Sequence, residues 1–339
     1  MRWRWLGLTL VAAFAASFLL VNRSQLPATL QAAQGANPLF LGAAAAVGML
    51  YLLNYAAMYR AAYRAVGLTI PLGVAFRTAN AAHVLNMTIV NSGGLAGLAP
   101  FLSDAKARGQ GRGQVVSAYL LVTFLGHLVF ALVLAVVLLL AARHGKVGRL
   151  EVLATSVFAA YTLFSVALLI AAARSRSALR WLHARPQAVR AWALGRIGRR
   201  AAAGDTSNEA ADELYEALRT MLRRPRAMAL PALHAFLVEV AGVATLWFCL
   251  KAFGVNAGLE APFVAYAFGV LFGIVGFLPA GAGFAEAGLG LALASYGIDG
   301  VIIALAVVTY RLFEVWVPFA AGALSLLGLW GQPGEAEAR

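Results

Sequence analysis

The chain has 339 residues, of which 62% are hydrophobic and 12% are charged, and its formal net charge is +13. A soluble protein of this size could not cover its surface with so few polar groups, so the composition excludes that class. The basic residues cluster between apolar runs, as the positive-inside rule describes, and no nucleic-acid-binding module accompanies them. We therefore expect no nucleic-acid partner.

Apolar runs longer than the roughly 18 residues of a membrane span, without strand-like alternation, predict an all-α polytopic membrane bundle rather than a β-barrel. The first run also has the basic start and apolar core of a signal peptide, but its length favours an uncleaved span. The predicted full spans are Trp5–Val21, Pro38–Tyr59, Gln114–Ala142, Leu153–Ala173, Met228–Phe253 and Gly300–Leu329.

Two regions between these spans predict broken helix pairs. The first is the irregular stretch from Pro71 to Gly113. The second is Pro262–Leu278 followed by Phe284–Tyr296, and its second piece is too short to cross a hydrocarbon core of about 30 Å.

Residues 174–226 differ from the rest of the chain because they contain twelve arginines and only five acidic residues. This pattern favours cytosolic amphipathic helices that lie on an anionic membrane surface. The alternative is a solvated linker that only fixes the topology.

The second broken pair contains the stretch LPAGAGFAEAG, residues 278–288. Pro279, Gly281 and Gly283 interrupt a helix there, and Glu286 places an ionisable group in apolar surroundings. Broken backbone and a carboxylate at membrane depth indicate a binding or translocation site. The alternative is a surface loop with Glu286 among lipid headgroups.

An internal repeat relates the two halves. Small residues recur at an offset of 186, where Ala96, Gly97, Ala99 and Gly111 match Ala282, Gly283, Ala285 and Gly297. We expect a single transmembrane domain with repeat 1 at about 38–173, repeat 2 at about 228–329, and the basic segment 174–226 between them. Basic residues place both termini in the cytosol and the two broken pairs on opposite faces, although RHGKVGR at 143–149 then lies outside. Inverted repeats of broken helices indicate a transporter site near the bilayer midplane.

Arg311 and Glu314 lie three residues apart on one helical face within an apolar span. Helix N-termini at the glycine-rich breaks, at Gly97, Gly281 and Gly283, favour anions. We therefore predict that Arg311 binds the phosphate of an anionic lipid headgroup, tuned by Glu286 or Glu314. The alternative is a structural ion pair that locks helices together.

Asn80, His83 and Asn91 lie at helix-compatible spacings and predict a polar path through the first broken pair. The alternative is interhelical hydrogen bonding, a common role of asparagine in membranes. His127 is interpreted as a packing histidine.

Three stretches carry a resemblance to a known family. They are NSGGLAGLAP (91–100), LPAGAGFAEAG (278–288) and TYRLFEVWVP (309–318), and they resemble the lysylphosphatidylglycerol synthase transmembrane, or flippase-like, family over about 38–329. The family's usual glycine pair before the glutamate is here Ala280-Gly281, with Gly283 following. The resemblance implies movement of lipids or lipid-linked molecules across the bacterial inner membrane. Some members carry a soluble aminoacyl-transferase domain, for which this sequence has no stretch of sufficient length, so we do not expect lipid aminoacylation.

Enzyme signatures are absent from the sequence. GxSxG, HExxH and phosphate-loop patterns do not occur, the five histidines are scattered, and Cys249 is the only cysteine. We therefore assign no catalytic residue, metal ligand or cofactor. The expected function is flippase-like transport of a phospholipid or lipid-linked substrate in the bacterial inner membrane. The alternatives are an integral-membrane lipid-modifying transferase and a non-transporting scaffold for an envelope-biosynthesis enzyme, which is also a possible partner of the transporter.

Overall fold

The computed structural model describes residues 34–88, 95–143, 149–177, 212, 215–216, 219, 223–276 and 278–330. Within these ranges the chain is helical and contains no strand. The predicted all-α polytopic membrane bundle is thereby confirmed. Three predictions lie outside the described residues: the span Trp5–Val21, the placement of Asn91, and most of the basic segment 174–226.

The first half of the described chain contains α1 (Pro38–Ala65), α2 (Leu72–Thr88), α3 (Leu98–Ala107), α4 (Arg112–Arg143) and α5 (Arg149–Arg174). The second half contains α6 (Pro225–Ala252), α7 (Glu260–Val275), α8 (Phe284–Ser295), α9 (Gly300–Arg311) and α10 (Val317–Trp330). Short 3₁₀ turns at Leu95–Gly97 and Pro279–Gly281 precede α3 and α8, and a π-helical segment, Leu312–Trp316, joins α9 to α10.

Four helices in the described ranges are long and apolar enough to cross a membrane: Pro38–Ala65, Arg112–Leu140, Pro225–Ala252 and Gly300–Leu327. Helix α7 is apolar too, but its 16 residues extend only about 24 Å, which is less than a hydrocarbon core of about 30 Å. The helices of the pairs α2–α3 and α7–α8 have 17, 10, 16 and 12 residues, so each is shorter than any of these four.

Local sequence explains where several helices begin. Asn37 Oδ1 accepts a hydrogen bond from the Leu39 N–H at 3.0 Å, and Pro38 occupies the first turn of α1. Pro225 likewise opens α6. Asp299 caps α9 by accepting from the Val301 N–H at 2.9 Å. These caps satisfy donors that a helix end leaves free.

Packing of the described helices produces three apolar clusters, the smallest of which joins α2 to α10. Helix α1 lies along α6, α2 packs against α1 and α10, and α7 packs against α8. One cluster lies mainly in α1–α4, around Tyr59, Tyr63 and Phe101. The other large cluster extends from α4 to α9, around Phe130, Phe268 and Tyr310. The broken pairs are thus each held within packed protein, as broken backbone at membrane depth requires.

The contact between α2 and α10 depends on a glycine. A Cβ atom added at Gly322 would overlap the Asn80 carbonyl oxygen and a methyl group of Val84. The two helix backbones can therefore approach closely only because residue 322 lacks a side chain, as in other small-residue membrane contacts.

We predict that Gly322→Leu lowers the melting temperature of the purified protein, because overpacking costs about 1–3 kcal/mol. The matched control is Gly42→Leu in α1, where an added Cβ meets no atom within 4 Å. Both variants are heated to a series of temperatures, and size-exclusion chromatography then measures the fraction of protein that remains folded. Equal melting temperatures for the two variants would contradict the assigned contact.

Candidate functional site

Arg311, at the end of α9, is the centre of a charged cluster within the candidate span Gly300–Leu327. It is 4% exposed, and its guanidinium donates three hydrogen bonds. Nε donates to Glu286 Oε1 at 2.8 Å, Nη1 to Glu314 Oε2 at 2.8 Å, and Nη2 to the Ala280 carbonyl oxygen at 2.7 Å. One side chain thereby joins α8, the π-helical segment and the tip of the α7–α8 hairpin.

The π-helical segment begins directly after Arg311. At its end the Val317 N–H donates to the carbonyl oxygen of Leu312, five residues earlier, whereas an α-helix would use the residue four earlier. Single π-turns of this kind occur frequently at functional sites. The wider turn contains Glu314, whose carboxylate reaches back to Arg311.

The hairpin tip requires unusual backbone geometry. Ala280 has φ +52°, a left-handed conformation that costs a non-glycine residue about 1–2 kcal/mol, and its carbonyl oxygen accepts from Arg311. Gly281 has φ +66°, and an added Cβ there would lie 2.5 Å from the Gly273 Cα. Gly281 is therefore needed both for its backbone angle and for its contact with α7.

Glu286 has two partners. Its Oε1 accepts from Arg311, and its Oε2 accepts from the Gly283 N–H at 2.7 Å. Gly283 has φ +81° and precedes the first residue of α8, so the carboxylate satisfies a donor at a helix N-terminus.

The cluster contains one cation and two carboxylates. The side chains of Glu286 and Glu314 are 28% and 32% exposed, whereas that of Arg311 is 5% exposed. The guanidinium is thus neutralised inside the protein, and an anionic ligand that replaces one of the carboxylates keeps it paired. Glu314, the more exposed of the two, is the one more easily replaced.

The first broken pair is held by a neutral side chain. Asn86 Oδ1 accepts from the Gly97 N–H at 2.7 Å, and its Nδ2 donates to the Tyr119 hydroxyl at 2.9 Å. An added Cβ at Gly97 would lie 2.6 Å from both Asn86 Nδ2 and the Tyr119 hydroxyl. Gly97 therefore gives Asn86 and Tyr119 the room to meet at the first tip.

A cavity of about 840 Å³ lies between the two broken pairs. It falls within the range of small-molecule sites, about 300–1,000 Å³. Its polar lining residues are His83, Asn86, Thr123, His127, Arg311 and Glu314, and the tip residues Ala280 and Gly281 also line it. His83 Nε2 is buried and has no hydrogen-bond partner among the described residues.

Some of the residues predicted from sequence line this cavity, and others do not. Arg311, Glu314, His83 and Gly281 line it, and the predicted packing histidine His127 lines it too. Glu286, Gly283 and Gly97 are not among its lining residues.

Asn80 lies on another face of α2. Its Nδ2 donates to the Phe76 carbonyl oxygen at 2.8 Å, and its backbone packs on Gly322. Asn86, which the predicted polar path did not include, lines the cavity instead.

Sequence reasoning missed a buried carboxylate outside the Arg311 cluster. Glu239 in α6 is 7% exposed and accepts from the Tyr266 hydroxyl at 2.9 Å. It lines a smaller pocket of about 250 Å³ beside the main cavity. The signal was present, because Glu239 is the one acidic residue between positions 228 and 253. An acidic residue within a span is a functional candidate by default.

A family model described as the lysylphosphatidylglycerol synthase TM region matches residues 4–322. The match therefore covers both broken pairs, the Arg311 cluster and Glu239. A search of curated proteins finds no match.

We predict that Arg311→Gln strongly lowers the melting temperature, because removing one partner of a buried ion pair costs about 3–5 kcal/mol. The variant leaves two carboxylates without their cation. Adding Glu286→Gln and Glu314→Gln removes those charges and should restore most of the loss. Thermal unfolding in one detergent compares the three proteins, and a triple variant no more stable than R311Q would contradict this account.

Proposed function

The chain belongs to the lysylphosphatidylglycerol synthase transmembrane region family, and we propose that it is a flippase-like transporter of a phospholipid or lipid-linked substrate in the bacterial inner membrane. The observation that carries the proposal is the cavity of about 840 Å³ between the two broken pairs, with Arg311 in its wall. Broken helices around a polar cavity at membrane depth are typical of transporter sites.

An inverted repeat is part of the proposal, and the helix bounds support it. Shifts of 186 to 188 residues carry the ends of α1, α2 and α3 onto those of α6, α7 and α8, and the start of α4 onto that of α9. Two related halves facing a common site are the arrangement in which one half can rock against the other. We place the two broken pairs as re-entrant hairpins that enter from opposite faces, with both termini cytosolic.

Contact between the two broken pairs supports the proposed common site. Helix α2 touches the Pro279–Gly281 turn, and residues of both lie in the cavity wall. Movement of either hairpin would therefore change the cavity. Such a coupled change is what alternating access needs.

We assign an anionic headgroup to the cavity. A phosphate that replaces Glu314 keeps the Arg311 guanidinium paired, and charge-assisted, bidentate bonds make arginine well suited to that exchange. The acyl chains remain in the bilayer, where their apolar surface stays out of water. An envelope-biosynthesis enzyme that makes or uses the lipid is the partner we propose.

We predict that Thr123→Trp abolishes transport, because the indole fills the cavity from α4. The matched control is Leu132→Trp on the same helix, where the side chain is 62% exposed and directed away from the core. The assay uses vesicles of phosphatidylethanolamine and phosphatidylglycerol with a fluorescent phosphatidylglycerol analogue, and it measures the fraction of the analogue that an external quencher reaches.

Three results decide the proposal. Wild type and L132W should exchange the analogue faster than protein-free vesicles do, and T123W should match the protein-free rate. Wild-type exchange equal to the protein-free rate, with this analogue and with a lipid-linked sugar phosphate, would overturn transport. Undiminished exchange by T123W would overturn the assignment of the cavity.

A further inference from the structure

Glu239 is a buried carboxylate that the Arg311 cluster does not use. It lies at the middle of α6, with 14 helical residues before it and 13 after it. Its Oε2 accepts from the Tyr266 hydroxyl at 2.9 Å, and it is 7% exposed. Within the described ranges no Lys, Arg or His forms an ion pair with it.

A dedicated niche brings Glu239 and Tyr266 together. A Cβ added at Gly242, one turn further along α6, would overlap the Tyr266 ring. The glycine lets the ring lie directly on the α6 backbone, so that its hydroxyl reaches the carboxylate. The pair thereby ties α7, the first arm of the second hairpin, to the middle of α6.

Glu239 also has access to the proposed substrate cavity. The pocket of about 250 Å³ that it lines shares Tyr55, Asn86, Thr123 and His127 with the main cavity. The two spaces therefore adjoin along these shared side chains.

The groups that face Glu239 are neutral or acidic. Tyr55 and Tyr59 come from α1, Tyr119 and His127 from α4, and Tyr266 from α7. Glu314 adds negative charge, since both it and Glu239 act on Tyr51 and Tyr266. Arg311 is held by its own two carboxylates.

An ionised carboxylate with one neutral donor in an apolar interior is costly, and uptake of a proton removes the charge. A hard metal ion is a poor alternative, because such ions take about six oxygen ligands. One carboxylate and one hydroxyl meet here, and no cluster of three His, Cys, Asp or Glu residues occurs in the described ranges.

We propose that Glu239 is a proton-carrying residue that couples proton movement to the position of the α7–α8 hairpin. This inference rests on the proposed transport function. The step is simple: the carboxylate binds a proton from the cavity to become a carboxylic acid, and later releases it. Ionised Glu239 accepts a charge-assisted bond from Tyr266, roughly twice as strong as the neutral one, so protonation loosens α7 from α6.

The test uses the full chain in the phosphatidylethanolamine and phosphatidylglycerol vesicles, with the same fluorescent analogue and a tenfold proton concentration ratio imposed in either direction. The wild-type rate should differ between the two directions by up to about tenfold, the proton ratio itself. Glu239→Gln keeps the size and the acceptor for Tyr266 but cannot bind a proton, so its two rates should be equal. Leu132→Trp should respond as wild type does.

A second measurement does not need transport. Infrared difference spectra between acidic and alkaline buffer should contain the C=O band of a protonated carboxyl group in wild type, and E239Q should lack that band. The band should persist in Glu260→Gln, whose side chain instead accepts from the Tyr296 hydroxyl at the ends of the hairpin arms.

The outcomes distinguish proton coupling through Glu239 from the proposed transport function. Wild-type transport that ignores the direction of the gradient would overturn proton coupling and leave the proposed function standing. A gradient response retained in E239Q, or an unchanged carboxyl band in E239Q, would also overturn the role of Glu239. If E239Q loses all transport, the band decides: its loss supports proton binding by Glu239, and its persistence overturns it. Absence of wild-type transport would overturn both proposals.

Discussion

A guanidinium at membrane depth must be fully paired, and the second half of this chain is arranged around that constraint. Arg311 cannot shed its charge, so an unpaired state in apolar surroundings is prohibitively costly. Its partners are two carboxylates and one backbone carbonyl oxygen. The carbonyl oxygen of Ala280 is available only because the backbone there leaves the helix. The broken hairpin and the buried charge therefore require each other, since each satisfies what the other leaves open.

The tip of the first broken pair is held by a neutral amide instead of an ion pair. Asn86 satisfies the Gly97 N–H and the Tyr119 hydroxyl, so the first tip needs no charge. Two halves with similar helix bounds thus differ in how their tips are fastened. The asymmetry has a physical consequence, because only the second tip is held by bonds that an ionic ligand can compete for.

The sequence was sufficient to predict the helices but not the contacts between them. Apolar runs locate the helices: span five, predicted as Met228–Phe253, is observed as Pro225–Ala252. Helical spacing alone could not show that Asn86 rather than Asn80 faces the cavity, because both are polar and only packing against Gly322 distinguishes their faces. The contact of Arg311 with Glu286, 25 residues away, depends on how the chain folds back at the tip. A glycine in the sequence indicates where a positive φ is possible. No residue type indicates the left-handed conformation of Ala280 or the π-helical segment in the same way.

Polar contacts also hold the second hairpin in its position in the bundle. Its two arms are joined near their outer ends, where the Tyr296 hydroxyl donates to Glu260 at 2.8 Å. Where the arms meet, Gly269 and Gly288 let them pack closely, since an added Cβ at either would lie 2.6 Å from the opposite arm. The hairpin is therefore a tight unit, and its ties to the rest of the bundle include Tyr266 with Glu239 and Ala280 and Glu286 with Arg311. Both ties involve carboxylates, so the contacts of the hairpin with its surroundings depend on charge, whereas the close packing at Gly269 and Gly288 does not. A tightly packed hairpin that is held in the bundle by charged contacts can be shifted by ions or protons without unfolding, as the proposed transport requires.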